Sequence, residues 1–126
     1  MDRFEKIIDV IKQQAEAFLL DAGEFYPFGT SIRQDNKMTP IGAYIEANEN
    51  RPESQPLIDL LHRSITKEIE IGNYTVGALA YEILMNKNDK KFDAMAVRIY
   101  ESDKFVERYF KYDIQEDHVK FLEVES

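Results

Sequence analysis

YTVGALAYEILMNKNDKKFDAMAVRIY, residues 74–100, decides the fold. NKND at 86–89 has turn chemistry and separates two strand-like runs. In the first run Tyr74, Val76, Ala78, Ala80 and Leu84 share one parity, and Leu79, Tyr81, Ile83 and Met85 share the other. The second run sets Phe92, Ala94 and Ala96 against Met95, Val97 and Ile99. A hairpin with one wet face alternates apolar and polar residues. Here both parities are apolar, so both faces of the sheet are expected to be covered, by a helix on each side or by a second copy of the chain. Glu82 and Arg98 interrupt the apolar runs. Were the register to bring them together, they would form a cross-strand ion pair with a structural role.

Outward from this hairpin, residues 2–22 carry Phe4, Ile7, Ile8, Ile11, Ala15, Phe18 and Leu19 at steps of three and four. That spacing predicts a helix with one buried stripe. Asp2 and Glu5 suit its N-terminus, and Gly23 suits its end. Two strands are expected at 25–33 and 37–47, joined by Gln34-Asp35-Asn36. Pro40 cannot donate to a ladder, so the second of these reads as an edge strand. ANENRPESQP at 47–56 reads as a loop. A second helix follows, with Ser54 as cap, Pro56 in the first turn, and Leu57, Ile58, Leu61, Ile65 and Ile69 as its buried stripe. Gly72-Asn73 stops it. Strands at about 74–85, 91–101 and 104–113 complete the set, with a short extra run from Val119 to Val124. The expected fold is α+β: two helices and a sheet of about five antiparallel strands, in the order α-β-β-α-β-β-β, with a possible sixth strand at the C-terminus. All of it fits one domain, 1–126. By element order alone it is similar to the layered roadblock and profilin-type folds.

Composition narrows the chemistry. The chain has 126 residues, no cysteine and a net charge of −8. Thiolate metal sites, disulfides and cysteine nucleophiles are excluded, which suits a reducing cytoplasm. The N-terminus mixes charges with apolar residues, and no window is apolar enough for a transmembrane helix. Residues 113–126 hold five carboxylates, Asp113, Glu116, Asp117, Glu123 and Glu125, against Lys120. Such a field repels phosphates and anionic lipid, so neither nucleic acid nor membrane is an expected partner. A basic protein is favoured instead.

Catalytic signals are missing. The pattern contains no GxSxG, no SxxK and no glycine-rich phosphate loop. His62 has Thr66 rather than a ligand four residues on, and reads as a surface histidine of the second helix. His118 sits in the acidic tail. No catalytic residue, metal site or cofactor is therefore assigned. Seven tyrosines and no tryptophan favour interfaces or a half-buried sheet face.

One stretch stands apart: GEFYPFG, residues 23–29. It reads first as a helix-to-strand junction and second as the rim of a site, with Glu24 and Tyr26 as the polar groups. Regular alternation would send Phe25 and Pro27 one way, Tyr26 and Phe28 the other. GEFYPFG, IGAYIE at 41–46 and the NRPES loop at 50–54 resemble a group of small uncharacterised bacterial proteins. The chain is also similar in general style to immunity proteins, acidic single domains that neutralise toxins by binding them. The acidic balance, the tyrosines and the missing catalytic motifs lead to the expectation of a non-enzymatic, cytoplasmic protein-binding domain, an immunity-type inhibitor being one form of it. Candidate binding residues are Glu24, Tyr26, Tyr44, Glu46 and Glu49. The rival expectation is a small-molecule binder or enzyme whose pocket gathers Glu24, Tyr26, Arg33 and Tyr81. A third is self-association through a sheet face.

Overall fold

The computed structural model describes residues 2–41 and 54–125. The element order is α1 (Arg3–Ala22), β1 (Phe28–Arg33), β2 (Met38–Ile41), α2 (Ser54–Glu70), β3 (Tyr74–Lys87), β4 (Lys90–Tyr100), β5 (Phe105–Ile114) and β6 (Val119–Val124). All six strands form one antiparallel sheet in the order β2-β1-β3-β4-β5-β6. The expected α+β architecture is present, and the short C-terminal run is a full sixth strand.

Local chemistry accounts for the boundaries. Asp2 caps α1 by accepting from the Glu5 N–H at 2.9 Å. Gly23 ends it at φ 75°, donating its N–H to the Leu19 carbonyl at 2.8 Å. A residue with a Cβ would be strained there. The β3–β4 hairpin turns on Asn88 and Asp89, both at positive φ, between the paired Lys87 and Lys90. This is the two-residue turn whose twist matches the flanking strands. Pro40 lies on β2, at the sheet edge.

Two helices cover opposite faces. α1 presents Ile7, Ile8, Ile11, Ala15 and Leu19 to a core that includes Val76, Ala78, Ala80, Met95, Val97, Ile99 and Phe110. α2 presents Ile58, Leu61 and Ile65 to Leu79 and Tyr100. The two parities of β3 and β4 thus serve separate cores. Burying each large aliphatic side chain contributes about 1.5–3 kcal/mol, so losing either layer would exceed the stability of a typical domain. Gly77 sets how closely α2 can approach. A Cβ built there would lie 2.5 Å from Ile65 Cγ2.

Register corrects the expected Glu82–Arg98 pair. Glu82 lies opposite Met95, while Arg98 lies opposite Leu79. The positions differ by three along the ladder, an odd number, so the two side chains leave on opposite faces. Arg98 instead pairs with Glu107 at 2.9 Å on the neighbouring strand β5.

Candidate functional site

The first strand starts later than expected. β1 begins at Phe28, and residues 24–27 form an irregular bridge from α1 to the sheet. Pro27 has no N–H for a ladder, and the N–H of Phe25 donates to Glu82 Oε1 at 2.5 Å. Regular alternation is therefore lost. Phe25, Pro27 and Phe28 are all buried, while Glu24 is exposed and Tyr26 turns outward at 45% exposure.

Facing this bridge is the last turn of α1. Phe18, read from its period as a core residue, is 44% exposed. Its ring meets Phe28 edge-on, with centroids 5.3 Å apart, and Phe25 meets Phe28 in the same way at 5.4 Å. Between helix and bridge lies a cavity of about 320 Å³, lined by Phe18, Asp21, Ala22, Glu24, Phe25, Tyr26, Pro27 and Phe28. Its walls are aromatic, and Asp21 and Glu24 bring two carboxylates to it. Among the described residues that line it, the phenol of Tyr26 is the one neutral side-chain polar group.

Glu82 braces the floor of this arrangement. Besides the Phe25 N–H, it accepts from the Tyr112 hydroxyl at 2.7 Å through Oε2. The bridge is thereby tied to β3 and β5 through one half-buried carboxylate. Burial, and then the adjacent Glu82 carboxylate, push the Tyr112 phenol well above its ordinary range. Nearby, Glu16 of α1 accepts from the Val119 N–H at 3.0 Å and fixes the start of β6.

The expected site residues do not converge as a set. Glu24 and Tyr26 share the cavity. Arg33 lies at the far end of β1, in a separate depression with Gln34, Asp35, Gly72 and Asn73. Tyr81 packs with the α2 core, its ring 5.4 Å from the Arg98 guanidinium carbon. Tyr44, Glu46 and Glu49 lie outside the described residues. Phe18, Asp21, Glu82 and Tyr112 belong to the site or its support but carry no sequence signal for it. Phe18 sits at the margin of an apolar stripe, and the Glu82–Phe25 contact spans 57 residues.

His62 also differs from its expected surface position. It is half-buried, with Nδ1 2.8 Å from the Tyr100 hydroxyl and its ring edge-on to Tyr100 and Phe105. Desolvation raises the pKa of the buried Tyr100 phenol. Beyond it, Glu107 accepts from Arg98 and from the Tyr109 hydroxyl, the latter at 2.5 Å. That short bond, and then burial, push Tyr109 up to about 12. These contacts join α2 to β4 and β5 and satisfy one another. His118 is exposed, with Nδ1 2.6 Å from Asp117.

Among the described residues, no group of three His, Cys, Asp or Glu side chains is placed to hold a metal. No described helix is long and apolar enough to cross a membrane. Comparison with protein-family models, curated proteins and solved structures yields no significant match. The class is therefore stated from the fold and cavity alone: a two-helix, six-stranded antiparallel α+β protein with an aromatic cavity where α1 enters the sheet.

Proposed function

We propose that this chain is a non-enzymatic, cytoplasmic protein-binding domain whose partner is basic. The observation that carries the reading is the cavity at the α1–β1 bridge. It combines three phenylalanine rings and an exposed tyrosine with two carboxylates. Interface anchors are aromatic or arginine side chains seated in well-packed pockets, and this cavity suits the arginine or lysine stem of a partner. The aromatic faces would attract the cation, and the Asp21 carboxylate would help neutralise it. The net charge of −8 would speed the encounter with a basic protein. An immunity-type inhibitor, which neutralises a toxin by occupying it, is the specific form of this reading.

The test is capture from the native cell with a tagged chain, comparing wild type with Phe18→Ser and Tyr26→Ala. A stoichiometric basic partner held by wild type and lost from both variants supports the proposal. A partner retained equally by all three contradicts it.

The rival is a small-molecule site in the same cavity. A volume of about 320 Å³ lies at the small end of ligand pockets. Arg33 and Tyr81, which that reading needs, lie elsewhere. An organic cation remains a ligand compatible with the cavity, and it would bind the isolated chain without any protein partner.

A further inference from the structure

The three phenylalanines of the α1–β1 cavity do not form a flat floor. The rings of Phe18 and Phe25 stand at 67° and 73° to that of Phe28, so the walls adjoin at steep angles. Tyr26 adds a fourth ring at the rim, where it is 45% exposed. The face of each ring carries negative potential. Two further sources of the same sign lie beside them. Asp21 and Ala22, in the last turn of α1, line the cavity, so the negative end of the helix dipole is next to it. That turn contains no basic residue, and Asp21 contributes a full carboxylate.

We infer that the cation this cavity receives is a trimethylammonium group. The inference rests on the reading of the cavity as a cation site and narrows the chemistry of its ligand. Hydrogen bonding selects the alkylated form. An ammonium or guanidinium carries several N–H donors, and each is costly to desolvate without an acceptor. Among the described residues that line the cavity, the side-chain acceptors are Asp21, Glu24 and Tyr26, all exposed. The remaining side chains are three phenylalanines, an alanine and a proline, so the inner walls are carbon. Donors placed among the rings would meet none of those side-chain acceptors. A trimethylammonium group has no N–H to satisfy. Its charge is spread over methyl groups that pack against ring faces and are attracted by them. A volume of about 320 Å³ holds this group together with the stem that carries it. Two carriers share the chemistry: a free quaternary amine such as choline, and a trimethylated lysine on a partner protein.

Amide chemical-shift titration of the isotope-labelled chain tests it. The probes are choline, its neutral tert-butyl isostere, acetylated trimethyl-lysine and acetylated unmodified lysine. Choline and trimethyl-lysine should shift the amides of Gly23, Tyr26 and Phe28. Choline should bind about tenfold more tightly than its isostere, and trimethyl-lysine about tenfold more tightly than lysine. Whichever trimethylammonium compound binds more tightly identifies the carrier. Phe18→Leu keeps an apolar wall at a half-exposed position and removes one ring face. It should weaken choline and leave the isostere nearly unchanged, a split that a general loss of packing would not produce. Asp21→Asn should likewise weaken choline alone. An isostere that binds as tightly as choline overturns the inference, since the cavity would then read shape and not charge. Lysine equal to trimethyl-lysine also overturns it, and leaves the basic-partner reading intact. Absence of shifts at the cavity with both trimethylammonium compounds overturns it as well. The partner reading fails separately, on the capture experiment in the cell.

Discussion

Tyr112 donates its hydroxyl to Glu82 at 2.7 Å, and the other oxygen of Glu82 holds the Phe25 N–H at 2.5 Å. One carboxylate thus links β5, β3 and the bridge that walls the cavity. A half-buried acceptor with two donors is costly to remove, because each orphaned donor then bears part of its own desolvation penalty.

Glu82→Ala should therefore destabilise the chain by about 1–3 kcal/mol for each donor left unpaired. The effect should be coupled to Tyr112. Tyr112→Phe should cost less in the Glu82→Ala background than in wild type, since the bond is already gone. Urea denaturation of the two single variants and the double variant measures this. Simple additivity would mean that the hydrogen bond contributes nothing.

Alkaline stability follows from the same contact. Folding raises the Tyr112 pKa above its ordinary 10.0. Its contribution is fully present below pH 10 and is lost as the pH climbs from there toward the folded value, because the unfolded chain releases the proton first. Each such tyrosine can steepen the loss by up to about 1.4 kcal/mol per pH unit. Melting temperature measured from pH 8 to 11 should fall above pH 10, and Tyr112→Phe should flatten the decline. A slope unchanged by Tyr112→Phe would show that this phenol is not held neutral by the fold.

Gly77 gives a packing test. Alanine there places its Cβ 2.5 Å from Ile65 Cγ2, so α2 must shift or the sheet must bend. Gly77→Ala should cost about 1–3 kcal/mol, as overpacked cores do. Ile65→Ala alone should cost about 2–5 kcal/mol through its cavity. The double variant should be more stable than the sum of the two, because the new methyl fills space that Ile65 vacated. Thermal or urea unfolding distinguishes this from independent losses.

Cavity substitutions should separate binding from folding. Tyr26 and Phe18 are each nearly half exposed. Tyr26→Ala should change stability by about 0.5 kcal/mol or less, as surface substitutions do. Phe18→Ser should cost somewhat more, since its ring packs edge-on to Phe28. Circular dichroism melts check this. A collapse of the fold on Tyr26→Ala would assign that residue a structural role.

Much of the fold is written in local pattern. The helical stripes, the stop at Gly23, the edge placement of Pro40 and the turn at Asn88-Asp89 each depend on neighbours a few residues away. The doubly apolar parities of β3 and β4 correctly imply cover on both faces, because a helix on each side needs two apolar surfaces. What escaped the sequence is non-local. Register decided that Glu82 and Arg98 face apart, and nothing within either strand encodes their relative offset. Phe18 occupies the margin of its stripe, where a periodic pattern cannot distinguish a core residue from a pocket wall. Glu82 looked like an interruption in an apolar run. Its role appears only when Phe25, Pro27 and Tyr112 are brought around it. His62 reads as a surface residue until the buried hydroxyl of Tyr100 is placed beside it.

The most direct measurement is site-specific photo-crosslinking in the native cell. A photoreactive phenylalanine analogue replaces Tyr26 at the cavity, or Lys37 on the exposed β1–β2 turn as the control. The account predicts one basic protein, captured covalently from position 26 and not from position 37. Capture of the same protein from both positions, or of no protein from position 26, would contradict it.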